Sequence, residues 1–292
     1  MSVDTRRPVA VVTGANQGLG RALVAGLGRR LEQGAAVYLT GRDPDRVRDA
    51  ADEIGRESRR PKPHRLDVRS TEEIEAFASF VSGRHGGVDI VISNAAARIT
   101  PDRSDAEQVR NFVDTNNLGA TRMIRAFRPL LRPGGRFLIV ASDFGTLRSL
   151  PTHLHPRFAA ETMTLDDIDH VMADYVDAVE SGTDNDEGWP ASMNIASKVG
   201  QVAAARVFAR EQCEPAARDG RLIAAVCPGL VDTDASRPWF ADMSSAQSPA
   251  EAAVDVLELV TEAVDPAFYG ELVQHGRVVP WRAAYPRSGE RL

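Results

Sequence analysis

The chain has little that would tie it to an oxidising compartment, a metal or a membrane. Of its 292 residues only two are cysteine, Cys213 and Cys227; they form neither a disulfide framework nor a metal-ligand pattern and are read as structural thiols. His153-x-His155 has no third ligand at suitable spacing, so no metal site is expected. No run of about 18 apolar residues occurs, which excludes a helical membrane span. The start, MSVDTRRP, passes straight into apolar residues without a leader-like segment. Positive charge is short too: 35 Lys and Arg against 41 Asp and Glu leave a net charge of -6, with the arginines scattered among acids. That distribution excludes a stripe for nucleic acid. No linker, repeat or low-complexity tract divides the sequence. The expectation is one cytoplasmic domain over residues 1–292, with neither nucleic acid nor membrane as a partner.

What is present is an alternation of short apolar strands and amphipathic helices. Val9-Ala10-Val11-Val12 reads as a strand buried on both faces, followed by Thr13-Gly14 and then Gly18 and Gly20. Glycines at such a junction allow a tight turn and close approach to a ligand, and the helix that follows offers free N–H groups to a pyrophosphate. The spacing Gly14-x-x-x-Gly18-x-Gly20 is a variant of the dinucleotide fingerprint. A purely structural turn is the alternative until later segments are counted.

The pattern continues with strands at Ala36–Thr40, His64–Val68, Val88–Ile92, Arg136–Ala141, Leu222–Cys227 and Phe268–Gln274. Helices are expected at Gln17–Leu31, from an Asp43 cap to about Arg59, and from a Ser70-x-x-Glu73 capping box to about Gly83. Further helices are expected from about Ala106 to Leu131, where Pro133-Gly134-Gly135 stops the chain, from Ala191 to about Arg210, and from Ser248 onward. Together they predict a doubly wound, Rossmann-type α/β fold: a mostly parallel seven-stranded sheet with helices on both faces. An acidic segment at about 145–190 reads as an inserted lid. Arg42, at the tip of the second strand, favours a phosphate where a carboxylate would favour ribose hydroxyls; a solvated loop arginine is the alternative. Asp67 either lies near an adenine or caps a loop end.

Thr13-Gly14-x-x-x-Gly18-x-Gly20, Ser93-Asn94-Ala95-Ala96, Asn116, Ser142, Lys198 and Pro228-Gly229, in this order, resemble the short-chain dehydrogenase/reductase family. Arg42-Asp43, the long insertion and Glu187-Gly188-Trp189-Pro190 look most like its monomeric NADPH-dependent carbonyl reductases. The resemblance implies NADP(H) as cofactor, with Gly14, Asn16, Gly18, Leu19 and Gly20 along the pyrophosphate and ribose and Arg42 on the 2′-phosphate. It implies Asp67 and Val68 beside adenine, Asn94 at the nearby ribose, Lys198 at the nicotinamide ribose and Thr233 on the nicotinamide side. Asn116 would hold a water relay and Ser142 would hydrogen-bond the substrate oxygen. It implies a monomer acting on a small molecule.

Two positions depart from the family pattern. Ala96 replaces a glycine. Asn194 stands four residues before Lys198, where the family has a tyrosine that donates the proton to a reduced carbonyl. An amide polarises a carbonyl but gives up no proton near neutral pH. Lys198, Asp143, His153, His155 and Tyr175 are the alternative donors. Four readings stay open: an NADPH-dependent reductase of a carbonyl or imine, a non-redox enzyme on the same fold, a silent NADPH-binding protein, and an Asn194 introduced to trap a complex. The loop from Leu230 to Gln247, with Trp239 and Phe240, and the insertion are expected to shape the substrate pocket.

Overall fold

The computed structural model describes residues 7–263 and 265–282. Residues 1–6, on which the reading of a leaderless start rests, lie outside the described residues. The chain runs through β1 (Val9–Val12), α1 (Gly18–Arg30), β2 (Ala36–Gly41), α2 (Pro44–Glu57), β3 (Lys62–Arg65), α3 (Thr71–His85) and β4 (Val88–Ser93). It continues through α4 (Asp105–Val113), α5 (Gly119–Phe127), β5 (Leu131–Val140), α6 (Leu165–Ser181) and α7 (Met193–Glu211). The last elements are α8 (Cys213–Asp219), β6 (Leu222–Val226), α9 (Pro249–Thr261), β7 (Leu272–Gln274) and β8 (Arg277–Val279).

The strands form one sheet in the order β3-β2-β1-β4-β5-β6-β7-β8, parallel except for the terminal β7–β8 hairpin. The sheet thus has eight strands where seven are expected. The added strand returns through His275-Gly276, both in the left-handed region at φ 48° and 65°, as a tight two-residue hairpin turn demands. Ala10, Val12, Leu39, Ile92 and Val226 share a core with α1, α2 and α9, while Val9, Val11, Val91, Phe137 and Ile223 share the other with α3 to α7. The period of two along each strand therefore feeds both layers, which explains why the strands read as unbroken apolar runs.

Several boundaries differ from expectation for local reasons. β3 ends at Arg65 because the Asp67 carboxylate accepts from Arg69 N at 3.0 Å and closes a turn. Ser70 caps α3 by accepting from Glu73 N, but Glu73 Oε2 accepts from Asp67 N at 2.9 Å, so the capping box is half formed. Pro133-Gly134-Gly135 does not stop a helix; it bulges within β5, between the pairs Val88–Leu131 and Ile90–Arg136. The expected helix from Ala106 is interrupted by a π-turn at Asp114–Leu118 between α4 and α5.

The segment expected to form a lid is built into the second core. α6 packs on α4 and α7. The Tyr175 and Phe158 rings lie 4.8 and 6.3 Å from that of Trp189, and the Arg157 guanidinium covers the indole at 5.2 Å. Trp189 itself is 3% exposed. Burying a tryptophan and its aromatic neighbours anchors the insertion beside the helix that carries Lys198.

Candidate active site

The site forms where the spatial order of strands reverses, between the carboxyl ends of β1 and β4. Thr13, fully buried, accepts through Oγ1 from Asn94 N at 2.9 Å and Ala95 N at 3.0 Å. Asn94 Nδ2 donates back to the carbonyls of Thr13 and Gly14 at 2.9 and 3.2 Å. This clasp leaves no room for larger residues in the glycine turn. Gly14 has φ 61°, and a Cβ there would meet Ala95 Cα at 2.6 Å; at Gly20 it would meet Asn94 Nδ2 at 2.5 Å. The Asn94 amide is therefore engaged by the turn, a structural duty beside the ribose contact that the resemblance implies.

A groove runs from this turn in three joined depressions. The outer one, about 340 Å³, is lined by Gly14, Asn16, Arg42, Asp67, Val68 and Arg69 among others. Asp67 is held below the usual carboxylate range, first by its hydrogen bonds from Arg69 and further by the charge of the nearby Arg42. Arg42 itself has no ion-pair or hydrogen-bond partner among the described residues, so its guanidinium is available to an anion. Gly14, Gly18, Leu19, Gly20 and Asn94 line the middle depression, about 350 Å³, which Arg98 and Asp234 span as an ion pair at 3.2 Å. Thr233 lines both this part and the inner cavity.

The inner cavity, about 540 Å³, brings together Ser142, Asp143, Asn194 and Lys198 with Phe144, Trp239 and Phe240. Ser142 Oγ donates to Asp143 Oδ1 at 2.9 Å. Lys198 Nζ donates to the Val140 carbonyl at 3.3 Å. As a residue Lys198 is half-buried, but its ammonium is packed round by protein, and burial pushes it down to about 8. Cys227 lies near Lys198, and burial raises its thiol, which stays uncharged near neutral pH.

The other donor candidates lie elsewhere. His153 and His155 bond through Nε2 to the carbonyls of Glu187 and Leu150, and Tyr175 is 1% exposed with burial holding its phenol above the usual range. Among the described residues none from 145 to 190 lines the cavity, so the insertion shapes it only by supporting α7.

Asn116 sits in the π-turn, 2% exposed, with Oδ1 accepting from Ala97 N at 2.8 Å. Its carbonyl accepts from Gln201 Nε2 at 2.9 Å, and the buried Gln201 Oε1 has no partner among the described residues. Gln201, Arg69 and Arg98 are absent from the residues singled out in the sequence, and Thr13, named there as part of the glycine motif, carries no clasp in that reading. The three-residue step from Lys198 to Gln201, one helical turn on α7, is the signal that could have found the first of them.

The comparisons agree with this architecture. Residues 8–152 match the short chain dehydrogenase family. Carbonyl reductase [NADPH] 1 of Mus musculus is 31% identical over 283 residues, covering 96% of this chain and all of that protein. The Sus scrofa protein of that name is 33% identical over 288 residues, covering 96% of each. The chain belongs to the short-chain dehydrogenase/reductase family. Salutaridine reductase from Papaver somniferum superposes with a TM-score of 0.76 at 21% identity, over 91% of this chain and 99% of the other. Menthone neomenthol reductase from Mentha piperita gives 0.74 at 22%, over 92% and 99%, and both share the fold.

The buried ammonium has a measurable consequence. Because the folded value of Lys198, about 8, lies below its ordinary 10.5, the folded chain binds fewer protons than the unfolded chain between those limits. Below about 8 the cost of burying the charge is present in full, and it is relieved as pH rises toward about 10.5. Stability relative to Lys198→Met should therefore increase from about pH 8 to about pH 10, followed by denaturant unfolding of both proteins. A difference that stays constant over this range contradicts the assignment.

Proposed function

We propose that the chain is an NADP(H)-dependent oxidoreductase that reduces a carbonyl or imine of a small, mostly apolar molecule, with an atypical proton donor. The observation that carries this reading is the run of three neighbouring depressions that share lining residues, with Arg42, which has no partner among the described residues, at the outer end and Ser142, Asn194 and Lys198 at the inner end. The residues fit the dinucleotide. The glycine turn is a cradle that a Cβ would fill, the α1 N-terminus opens beside it, and Arg42 makes no ion pair or hydrogen bond among the described residues. Bound there, a reduced nicotinamide supplies a hydride. Arg42 would hold the 2′-phosphate, Asp67 and Val68 the adenine, Lys198 the nicotinamide ribose and Thr233 the carboxamide side.

Ser142 and Asn194 then orient the substrate oxygen or nitrogen, and Asp143 and Lys198 are the two titratable side chains in reach of it. Loss of a positioned acid typically costs about 10² to 10⁴ in rate on a neutral carbonyl. A second reading, a non-redox reaction in the same cavity, is favoured by one further feature. Gln201 donates to the carbonyl of Asn116, the residue to which the resemblance assigns a water relay. Stoichiometric consumption of NADPH with identified product separates the two readings.

NADPH is expected to bind at least about 10-fold more tightly than NADH through the charge-assisted contact of Arg42, and Arg42→Ala to remove most of that preference. Fluorescence titration measures both, and equal affinities in the parent would sink the assignment. The chain is further proposed to act as a monomer, because α6 covers α4 and α7. Sedimentation should give one species independent of concentration, and a stable tetramer would refute it.

A further inference from the structure

Three features of the inner cavity narrow the substrate class beyond a carbonyl or imine in general. The first is aromatic exposure. Phe144, Trp239 and Phe240 are 44, 45 and 43% exposed, three of the six large apolar side chains exposed among the described residues, and all three line this one cavity. Apolar rings gathered round a concave site mark a ligand with flat, apolar faces. The second is charge. Asp143 is the sole carboxylate among the lining residues and has no cationic partner there; it accepts only from Ser142, while Lys198 donates to a carbonyl instead. The third is the amide of Asn194, which lines the same cavity and has no proton to transfer.

We propose that the substrate is an iminium ion, a C=N⁺ group carried on a planar, mostly apolar ring system, bound between the aromatic side chains with its charge on the Asp143 carboxylate. The proposal rests on the reading of the chain as a reductase and narrows its substrate class. Hydride addition to a ketone leaves an alkoxide, which must take a proton. With an iminium ion, the hydride pair forms the new C–H bond, the π pair returns to nitrogen as a lone pair, and a neutral amine results. The reduced nicotinamide that gives the hydride is left oxidised and cationic, so charge balances with no proton moved. A site without a phenol is thus complete for this substrate and deficient for a ketone.

The roles of the side chains follow. Cation–π attraction by tryptophan and phenylalanine faces and the charge of Asp143 both act on the bound cation. They act before the transition state, so they set binding more than rate. Ser142, donating to Asp143, holds the carboxylate in place.

The test uses N-methyl-3,4-dihydroisoquinolinium, a fixed cation, against 1-tetralone, a neutral ketone of the same outline. Calorimetry without cofactor is expected to give the cation at least about 10-fold tighter binding than the ketone. Asp143→Asn should abolish that preference, and Trp239→Ala should weaken both ligands. With NADPH and after subtraction of the enzyme-free rate, the cation should be reduced to the tertiary amine. Asp143→Asn should then raise KM about 10-fold while kcat stays within about 3-fold. Tetralone binding as tightly as the cation, or a preference that survives Asp143→Asn, overturns the proposal. So does a Trp239→Ala variant that binds both probes normally but changes its sedimentation, because the aromatics then cover a second copy. If NADPH fails to bind while the cation preference holds, the reductase reading is what fails.

Discussion

The clasp between Thr13 and Asn94 is the constraint on which the rest of the site depends. It ties the end of β1 to the end of β4 at the one place in the sheet where neighbouring strands continue in opposite directions through the sequence. Four hydrogen bonds made by these two side chains hold the turn, and each is inside the protein or at its edge, where loss of a partner costs about 1 to 3 kcal/mol. With the turn fixed, α1 begins beside the groove, and the loop after β4 is committed to its opposite wall. Ala96, in place of the family glycine, lies on that wall and lines two of the three depressions.

The second fixed point is α7. It is held on one side by the insertion, through Trp189 and α6, and on the other by a buried polar seam to the π-turn. In that seam Ser197 Oγ donates to Asn117 Oδ1, and Asn117 Nδ2 donates to the Ser197 carbonyl, both at 2.8 Å. Such paired polar groups, fully buried, define one register between two helices more sharply than apolar contact does. Lys198 and Asn194 are presented to the cavity from this rigid helix. The other side of the cavity is built differently: Phe144 and Trp239 stand on short 3-10 turns and Phe240 directly follows the second, all three with exposed rings.

Much of the fold was legible because burial on both faces makes parallel strands read as apolar runs, and caps such as Asp43-Pro44 fall where helices begin. The eighth strand escaped because Arg277–Val279 is mostly exposed and three residues long, too short for a pattern. The π-turn escaped because one extra residue per turn barely disturbs an apolar period. The packing of the insertion into the core was hidden for a related reason: acidic residues on the outer face of α6 dominate its composition, while its inner face carries Ile168, Met172, Tyr175 and Val176 into the core. In the site, glycine spacing and the Asn194-to-Lys198 step are local and readable. Gln201 on Asn116, Arg98 on Asp234 and Thr13 on Asn94 are pairings across 80 or more residues, and no local spacing encodes them.

The chain belongs to the short-chain dehydrogenase/reductase family, and the proposed reading of its site as a reductase turns on Asn194, which stands where the family has its acid. The most direct measurement is the rate of NADPH-dependent reduction of a simple ketone or quinone by Asn194→Tyr beside its parent, both with NADPH affinity determined. A phenol at that place lies one helical turn from the Lys198 ammonium, whose charge lowers its pKa. The expected result is a gain of about 10-fold or more with NADPH affinity nearly unchanged, short of the full acid factor because the surroundings are not arranged for a phenol. Normal NADPH binding with no carbonyl reduced faster than by the parent would contradict it, and would mean that the cavity has been rebuilt for another reaction.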